Sequence, residues 1–217
     1  LPDLQSFQPD FLLVVPRVFE KVYNSSMLKA EDGGKGKIFH AGAKTAIEWS
    51  KAEEAGKVPL SLKVKHAVFD KLLYGKIRTA MGGQVKYAIS GGAPLGERLG
   101  HFFHGIGVTV LEGYGLTETT APVTVNTPRL TKIGTVGAPL PGNAVRIADD
   151  GEILAKGVSV MKGYYNRPDL TAENFTDGWF HTGDIGQLDS DGFLRITGRK
   201  KEIIVTASGK NVVPALL

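Results

Sequence analysis

The residues best suited to chemistry lie in one short segment, Glu112–Thr120, which reads EGYGLTETT. Its two glycines let a backbone approach a ligand closely, and Tyr114 between them offers an aromatic face on which a purine could stack. The three threonines carry hydroxyl donors that suit phosphate oxygens, and Glu118 carries the hard oxygens that Mg²⁺ prefers. This pattern predicts a nucleotide site, although a threonine-rich turn has the same composition.

Two later segments carry charged groups that suit the same kind of ligand. Residues 178–184 (GWFHTGD) end on Asp184, whose carboxylate can accept hydrogen bonds from both hydroxyls of a ribose. Residues 198–202 (GRKKE) hold an arginine and two lysines, and basic side chains at a domain junction can reach phosphates. The alternative interpretations are an aspartate turn before a strand and a solvated charge run in a linker.

The composition is that of a globular protein without cysteine chemistry. The chain has 217 residues, 42% of them hydrophobic, and an interspersed net charge of +4, so nucleic acid is not expected as a partner. The absence of cysteine excludes disulfides, iron–sulfur clusters, cysteine-ligated zinc and thiol nucleophiles. The apolar run Phe11–Val15 is much shorter than the ~20 residues of a membrane-spanning helix. Because the sequence begins with Leu1 rather than methionine, we expect a piece of a longer protein.

The elements that must position these segments begin with an α layer. The N-terminal third predicts three helices, over residues 17–29, 37–55 and 62–80. In the third of these, Val64, Val68 and Leu72 recur every four residues. This spacing predicts an apolar face that packs into the layer.

A strand–helix–strand pattern follows the α layer. Residues 85–89 and 108–111 read as strands, and residues 95–104 between them read as a helix. This order predicts two parallel strands joined by a right-handed crossover. The glycine-rich loops at 90–94 and 113–115 follow the two strands, and the carboxyl ends of parallel strands are where such sheets bind ligands.

From about residue 123 the chain reads as short strands separated by turns. The predicted strands are Ala144–Ala148, Gly151–Ala155, Ile185–Leu188 and Phe193–Thr197. The sequence therefore predicts an α/β fold in which a layered α/β subdomain precedes a small antiparallel, β-barrel-like subdomain.

Four motifs in a fixed order resemble the adenylate-forming superfamily of acyl-CoA synthetases, luciferases and peptide-synthetase adenylation domains. They are YGLTET at 114–119, GWFHTGD at 178–184, DGFLRITGRKKEIIV at 191–205 and SGKNVVP at 208–214. With FLLVVPRVFEKVY at 11–23, the chain is similar to the bacterial long-chain fatty-acid–CoA ligases within that superfamily. The resemblance implies a luciferase-like fold truncated at both ends. Its parts would be an α/β subdomain of the large N-terminal domain (1–122), a β-barrel-like subdomain (123–198), and a hinge with the start of the C-terminal domain (199–217).

The resemblance also implies an activity, which is ATP-dependent activation of a fatty acid through an acyl-adenylate followed by transfer to CoA. The implied cofactors are Mg²⁺ and ATP, with AMP as intermediate or product, and the implied partners are ATP, a fatty acid and CoA. The implied location is the cytoplasm, with peripheral membrane contact and oligomeric state left open.

Residue roles are carried over from the superfamily by motif. The nucleotide-binding residues implied are Gly91, Gly92, Ala93, Glu112, Gly113, Tyr114, Gly115, Thr117, Asp184 and Arg199. Tyr114 would stack on the adenine opposite a wall formed by residues 91–93, and Glu112 and Gly113 would contact the edge of the base. Asp184 and Arg199 would bind the ribose hydroxyls.

The remaining implied roles concern catalysis and domain movement. Thr117 would hydrogen-bond the α-phosphate and Glu118 would hold Mg²⁺, and these two are the catalytic residues implied. Lys201 matches the hinge about which the C-terminal domain rotates, and Gly209 matches the glycine that lines the pantetheine tunnel. The function depends on one spatial expectation, that the segments around Tyr114 and Asp184 converge on one AMP.

Two parts of the superfamily's machinery are missing from this sequence. The phosphate loop with its lysine has no counterpart, since Gly33–Lys37 lacks the required pattern, and the catalytic lysine of the far C-terminus is absent. We therefore expect these 217 residues alone to be catalytically inactive.

Two other functions stay open. A fatty acyl-AMP ligase that loads a carrier protein is the first, although the absence of an insertion between Asp184 and Arg199 favours CoA. A non-catalytic nucleotide-binding or interaction domain is the second. The pair His101 and His104 could bind a metal, but helix histidines without a third ligand are the commoner meaning.

Overall fold

The computed structural model describes residues 2–200 and two short strands beyond them. The chain forms two compact units, Leu1–Leu111 and Glu112–Leu217, whose boundary lies inside a strand. The subdomain boundaries expected near residues 122 and 199 stay predictions.

The first unit combines six helices with three strands among its described residues. In chain order these are α1 (Pro2–Phe7), β1 (Phe11–Val14), α2 (Pro16–Asp32), α3 (Gly36–Glu54), α4 (Leu60–Phe69), a π-helical turn (Asp70–Tyr74), α5 (Gly75–Ala80), β2 (Tyr87–Ser90), α6 (Glu97–Gly105) and β3 (Thr109–Leu116). Pro16 occupies the first turn of α2, where the missing N–H costs no hydrogen bond.

The sheet of the first unit is built around β2. Strands β1 and β2 are parallel, with Phe11 opposite Tyr87 and Val14 opposite Ser90. Strand β3 lies on the other side of β2, and α6 connects the two strands. The predicted order of strand, helix and strand is confirmed.

Aromatic side chains of α2, α3 and α6 form the core of the first unit. Phe19 and Phe103 meet edge to face at 5.0 Å, and so do Tyr23 and Phe102 at 4.8 Å. Helix α6 packs closely on α3 because Gly105 has no side chain, and a Cβ there would lie 2.0 Å from a backbone carbonyl of α3.

The predicted packing face of the third helix is wrong. Val64, Val68 and Leu72 are 60%, 50% and 53% exposed. The opposite side of this helix packs inward instead: Phe69 and Leu73 pack against the core, and two further side chains meet buried backbone carbonyls. His66 Nε2 lies 2.6 Å from the Gly105 carbonyl oxygen, and the Tyr74 hydroxyl donates to a carbonyl of α3 at 2.8 Å.

The second unit is antiparallel. After β3 it contains a 3₁₀ turn (Thr117–Thr119), β4 (Ala121–Val125), β5 (Ala138–Pro139), β6 (Asn143–Ile147), β7 (Glu152–Gly157), α7 (Pro168–Asn174), β8 (Phe175–Thr176), β9 (Trp179–Leu188), β10 (Leu194–Arg199), β11 (Ile204–Val205) and β12 (Asn211–Val212). One sheet has the order β10-β9-β7-β6, with β8 added at β9. The α/β class followed by an antiparallel, barrel-like sheet is confirmed.

Two motif segments lie on strands that extend further than the sequence predicted. Strand β3 continues through Leu116, so Tyr114 lies on a strand, and β9 starts at Trp179, so the HTGD segment lies within it. Gly115 explains the first difference. A Cβ there would lie 1.9 Å from the Ala121 carbonyl oxygen, so this glycine lets the neighbouring strand approach closely. The nucleotide contact implied for Gly115 stays a prediction.

No helix among the described residues is long and apolar enough to cross a membrane.

Candidate functional site

A hydrogen bond brings together the two motif segments that the sequence expected to converge. The Tyr114 hydroxyl on β3 donates to Asp184 Oδ2 on β9 at 2.7 Å, across 70 residues of sequence. Tyr114 is 8% exposed and Asp184 is 5% exposed. Burial raises the pKa of Tyr114 far above its usual range, and the hydrogen bond to Asp184 raises it further. The phenol therefore stays protonated and remains a donor.

Arg199 completes this cluster from the neighbouring strand. Asp184 and Arg199 lie directly opposite each other in the β9–β10 pair, and Arg199 Nε donates to Asp184 Oδ1 at 3.2 Å. Each carboxylate oxygen therefore has a protein donor, which offsets the cost of burying the charge. Most of the Arg199 side chain is exposed, so solvent screens its attraction to the carboxylate.

Backbone and side-chain contacts from one later segment hold Glu118. The Met161 N–H donates to the Glu118 carbonyl at 2.7 Å, and the Tyr164 hydroxyl donates to Glu118 Oε1 at 3.1 Å. The Tyr164 N–H in turn donates to the hydroxyl of Thr171 on α7 at 2.9 Å. The sequence analysis missed Tyr164 because nothing local links it to a residue 46 positions earlier.

The three threonines of the motif differ in burial. Thr119 is buried, accepts the Leu116 N–H at 2.8 Å and lies 2.9 Å from the Ala121 carbonyl, so it closes the turn. The prediction of Thr119 as a phosphate donor is wrong for this reason. Thr117 and Thr120 are exposed, and the phosphate contact of Thr117 stays a prediction.

The other residues named from the sequence have varied surroundings. Glu112 is buried on β3, and its carbonyl accepts the Asn126 N–H at 2.9 Å. A Cβ at Gly113 would touch the side chain of Val125 at 3.2 Å, so Gly113 serves sheet packing.

The glycine-rich loop after β2 belongs to the first unit. Gly92 has φ +82°, the left-handed region that favours glycine, and a Cβ there would meet open space. Gly91 and Ala93 lie beside it in the same loop, and the adenine contacts implied for all three stay predictions. Lys201 and Gly209 lie outside the described residues.

A buried carboxylate that the sequence analysis missed lies beside the Asp184 cluster. Glu152 accepts the Gly183 N–H at 2.9 Å, and Lys200 Nζ donates to its other oxygen at 2.9 Å. Burial alone raises the pKa of Glu152, but hydrogen bonds from His181, Lys200 and Gly183 outweigh it and lower the pKa. A glutamate at the start of a predicted strand carried no local signal of burial. The prediction that Lys200 reaches phosphate is not supported, since it pairs with Glu152.

The described part of the chain holds no group of three histidine, aspartate or glutamate residues that could bind a metal ion. His101 and His104 instead share the Ser50 hydroxyl, at 2.9 and 3.0 Å. Glu118 fits Mg²⁺ by its chemistry, because this ion is commonly bound by one or two carboxylates together with substrate phosphates.

Comparison with known proteins gives a family and named relatives. The family described as "AMP-binding enzyme" matches residues 1–165. A long-chain-fatty-acid–CoA ligase, FadD15 of Mycobacterium bovis, is 58% identical over 100% of this chain, which covers 36% of that protein. The chain thus spans about a third of the length of the relative.

Two solved structures are similar in fold and sequence. The O-succinylbenzoate coenzyme A synthetase of Bacillus subtilis, in complex with ATP and magnesium ion, matches with a TM-score of 0.56 and 34% identity, over 61% of this chain and 30% of that one. A Mycobacterium tuberculosis fatty acyl CoA synthetase matches with a TM-score of 0.52 and 36% identity, over 62% of this chain and 29% of that one.

Replacing Tyr114 by phenylalanine tests the buried hydrogen bond. The change leaves the Asp184 carboxylate buried with one donor fewer, so we expect the full-length protein to lose about 1–3 kcal/mol of stability, seen as a lower urea midpoint. Tyr165→Phe is the matched control, because Tyr165 is 91% exposed. Equal midpoints for the two variants would contradict a structural role for the Tyr114 hydroxyl.

Proposed function

Because the chain belongs to the family of AMP-binding enzymes, we propose that its protein is a ligase that activates a fatty acid with ATP and transfers it to CoA. One observation carries the proposal: the hydrogen bond that joins Tyr114 to Asp184 within one buried cluster. The 58% identity to a relative named as a long-chain-fatty-acid–CoA ligase supports the choice of substrates.

The chemistry explains why a nucleotide is needed. A carboxylate is a poor acyl donor because its leaving group would be oxide. Attack of a carboxylate oxygen on the α-phosphorus of ATP breaks the bond to pyrophosphate and gives an acyl-adenylate. The CoA sulfur then attacks the acyl carbon, the bond to AMP breaks, and the thiol proton is released. Such a site works by positioning and charge stabilisation, without a covalent enzyme intermediate.

The buried cluster would bind the ribose of the nucleotide. Asp184 would accept hydrogen bonds from the ribose hydroxyls, with Arg199 beside it as a further donor. The Tyr114 hydroxyl fixes the orientation of the carboxylate before a ligand arrives, since it already donates to Oδ2 at 2.7 Å. Preorganisation of this kind lowers the ordering cost of binding.

The turn after β3 would bind the phosphates of the nucleotide. Thr117 would donate to the α-phosphate, and Glu118 would hold Mg²⁺. The ion would neutralise negative charge on the phosphate oxygens. Tyr164 holds Glu118 Oε1 at 3.1 Å, which keeps the carboxylate in place. The roles of residues 91–93, Lys201 and Gly209 remain as the family resemblance implies.

Product analysis with the full-length protein tests the function. We expect acyl-CoA and AMP to form from ATP, Mg²⁺, a fatty acid and CoA, and a panel of chain lengths would define the substrate. AMP release with an unchanged rate when CoA is omitted would favour an acyl-AMP ligase instead. Residues 1–217 alone should form no acyl-CoA, because the phosphate loop is missing, and acyl-CoA from that chain would contradict this expectation.

Replacing Glu118 by alanine tests the proposed metal ligand. We expect turnover by the full-length enzyme to fall by roughly two orders of magnitude or more while the fold is preserved, because charge stabilisation in such sites contributes on the order of several kcal/mol. Glu173→Ala removes an exposed carboxylate of α7 in the same unit and serves as the control. Near-normal activity of Glu118→Ala with Mg²⁺ would refute the role.

We also propose a cytoplasmic protein that contacts anionic membrane surfaces through one helix face. Leu60, Val64, Val68 and Leu72 form an exposed apolar stripe along α4 and the π-helical turn. Three exposed lysines lie on the same helical segment, at positions 63, 65 and 71. An apolar face with lysines beside it matches the chemistry of an anionic bilayer surface.

A double substitution, Val64→Glu with Val68→Glu, tests this contact in the full-length protein. We expect co-sedimentation with phosphatidylglycerol vesicles to weaken by at least about tenfold, because two apolar side chains no longer enter the bilayer. Lys44→Glu, on an exposed position of α3, changes the net charge equally and should have a much smaller effect. Unchanged vesicle binding with a lower melting temperature would mean that the rest of the polypeptide covers the stripe, and would overturn the proposal.

A further inference from the structure

A single buried carboxylate contacts three donors beside the Asp184 cluster. Glu152 is 3% exposed and begins β7. Its Oε1 accepts the Gly183 N–H at 2.9 Å, and its Oε2 lies 3.0 Å from His181 Nδ1 and 2.9 Å from Lys200 Nζ. With a backbone amide and two side-chain nitrogens around it, this carboxylate is fully engaged.

The positions of the donors link Glu152 to the proposed ribose contacts. Gly183 immediately precedes Asp184, and Lys200 immediately follows Arg199. Asp184 and Arg199 face each other across the β9–β10 pair. The Glu152 side chain therefore contacts both the residue before Asp184 and the residue after Arg199.

The backbone around Asp184 needs this support because the sheet is irregular there. Glu152 pairs with Ile185 and Leu154 pairs with His181. Residues 182–184 of β9 therefore lie opposite a single residue of β7, Ile153. Such a bulge leaves residues outside the regular ladder and changes the direction of a side chain. Gly183, inside the bulge, has φ +73°, the left-handed region.

Side chains replace the ladder bonds that the bulge removes. The Thr182 hydroxyl donates to the Ile153 carbonyl at 2.7 Å, and the Gly183 N–H donates to Glu152. The Asp184 N–H lies 3.2 Å from the Thr182 hydroxyl oxygen. The direction of the Asp184 carboxylate thus depends on the side chains of Thr182 and Glu152. Glu152 also binds Lys200, the residue that follows β10.

We propose that Glu152 is a positioning residue for nucleotide binding, which fixes the bulge that aims Asp184 and anchors the strand end after Arg199. The proposal rests on the proposed function, because it assigns Glu152 to the geometry of the same ribose contacts. Glu152 itself does not touch the ligand.

Glutamine at position 152 is the sharpest test. Glu152→Gln keeps the volume but offers one acceptor oxygen where three donors converge, and its amide nitrogen would face another donor. In the full-length protein we expect the Kd for ATP, measured by calorimetry, to rise about tenfold, the effect of losing one hydrogen bond to a charged group. Fatty-acid binding should change less than about twofold, since the proposal assigns this bulge to the ribose contacts alone.

Asp150→Asn is the matched control. Asp150 is the other carboxylate that pairs with Lys200, at 2.7 Å, but its described side-chain contacts do not include Gly183 or His181. We expect ATP binding by this variant to stay within about twofold of the wild type, since an exposed ion pair contributes little. Equal losses for Asp150→Asn and Glu152→Gln would overturn the proposal.

A double-mutant cycle separates positioning from general stability. If Glu152 acts through Asp184, then Glu152→Gln should have no further effect on ATP affinity in an Asp184→Asn background. Additive losses in the cycle would overturn the proposal. Should Glu152→Gln fail to fold, Glu152→Asp keeps the charge, retracts the carboxylate by one methylene, and takes its place in the same cycle.

Amide exchange at Gly183 gives a readout that needs no nucleotide. Exchange of this N–H should accelerate in Glu152→Gln and stay at the wild-type rate in Asp150→Asn. Unchanged exchange at Gly183 would overturn the positioning role whatever the ligand is. If the wild-type protein binds no ATP while Glu152→Gln still accelerates exchange at Gly183, the positioning role stands and the proposed function is overturned.

Discussion

The hydrogen bond between Tyr114 and Asp184 is the contact on which the rest of the site depends. It joins β3 to β9 inside the second unit, and both side chains are almost fully buried. A buried carboxylate is costly unless donors surround it. Tyr114 stays protonated because burial disfavours the phenolate, so it is a permanent donor, and Arg199 supplies the second donor from the opposite strand. The two motifs therefore form one structural cluster through contacts within the protein itself.

Several residues of the glycine- and threonine-rich motif shape the sheet and the turn after β3. Gly115 admits the backbone of β4, and Thr119 closes the turn that carries Glu118. Glu118 is then held from outside the motif by Tyr164. A motif of this kind combines residues that shape the sheet with residues that face outward, and composition alone does not separate them.

The bulge in β9 is an irregularity in an otherwise regular sheet, and it lies at Asp184. A regular ladder would fix the direction of every side chain by strand alternation. Three residues of β9 against one of β7 break this alternation at Asp184. Glu152 and Thr182 supply the hydrogen bonds that the ladder no longer makes. Because Glu152 makes one of these replacement hydrogen bonds, we assign it a role in orienting the Asp184 carboxylate.

The sequence by itself determined the α/β class, the strand–helix–strand order that precedes the antiparallel sheet, and the family resemblance, because periodicity, turn residues and motif order can all be read along the chain. It also predicted that the segments of Tyr114 and Asp184 meet. Only the tertiary structure decided that Val64 faces outward, since an apolar period of four residues does not say which face finds a partner. Only the tertiary structure revealed Glu152, because its donors lie 29 to 48 residues away and are brought to it by sheet register.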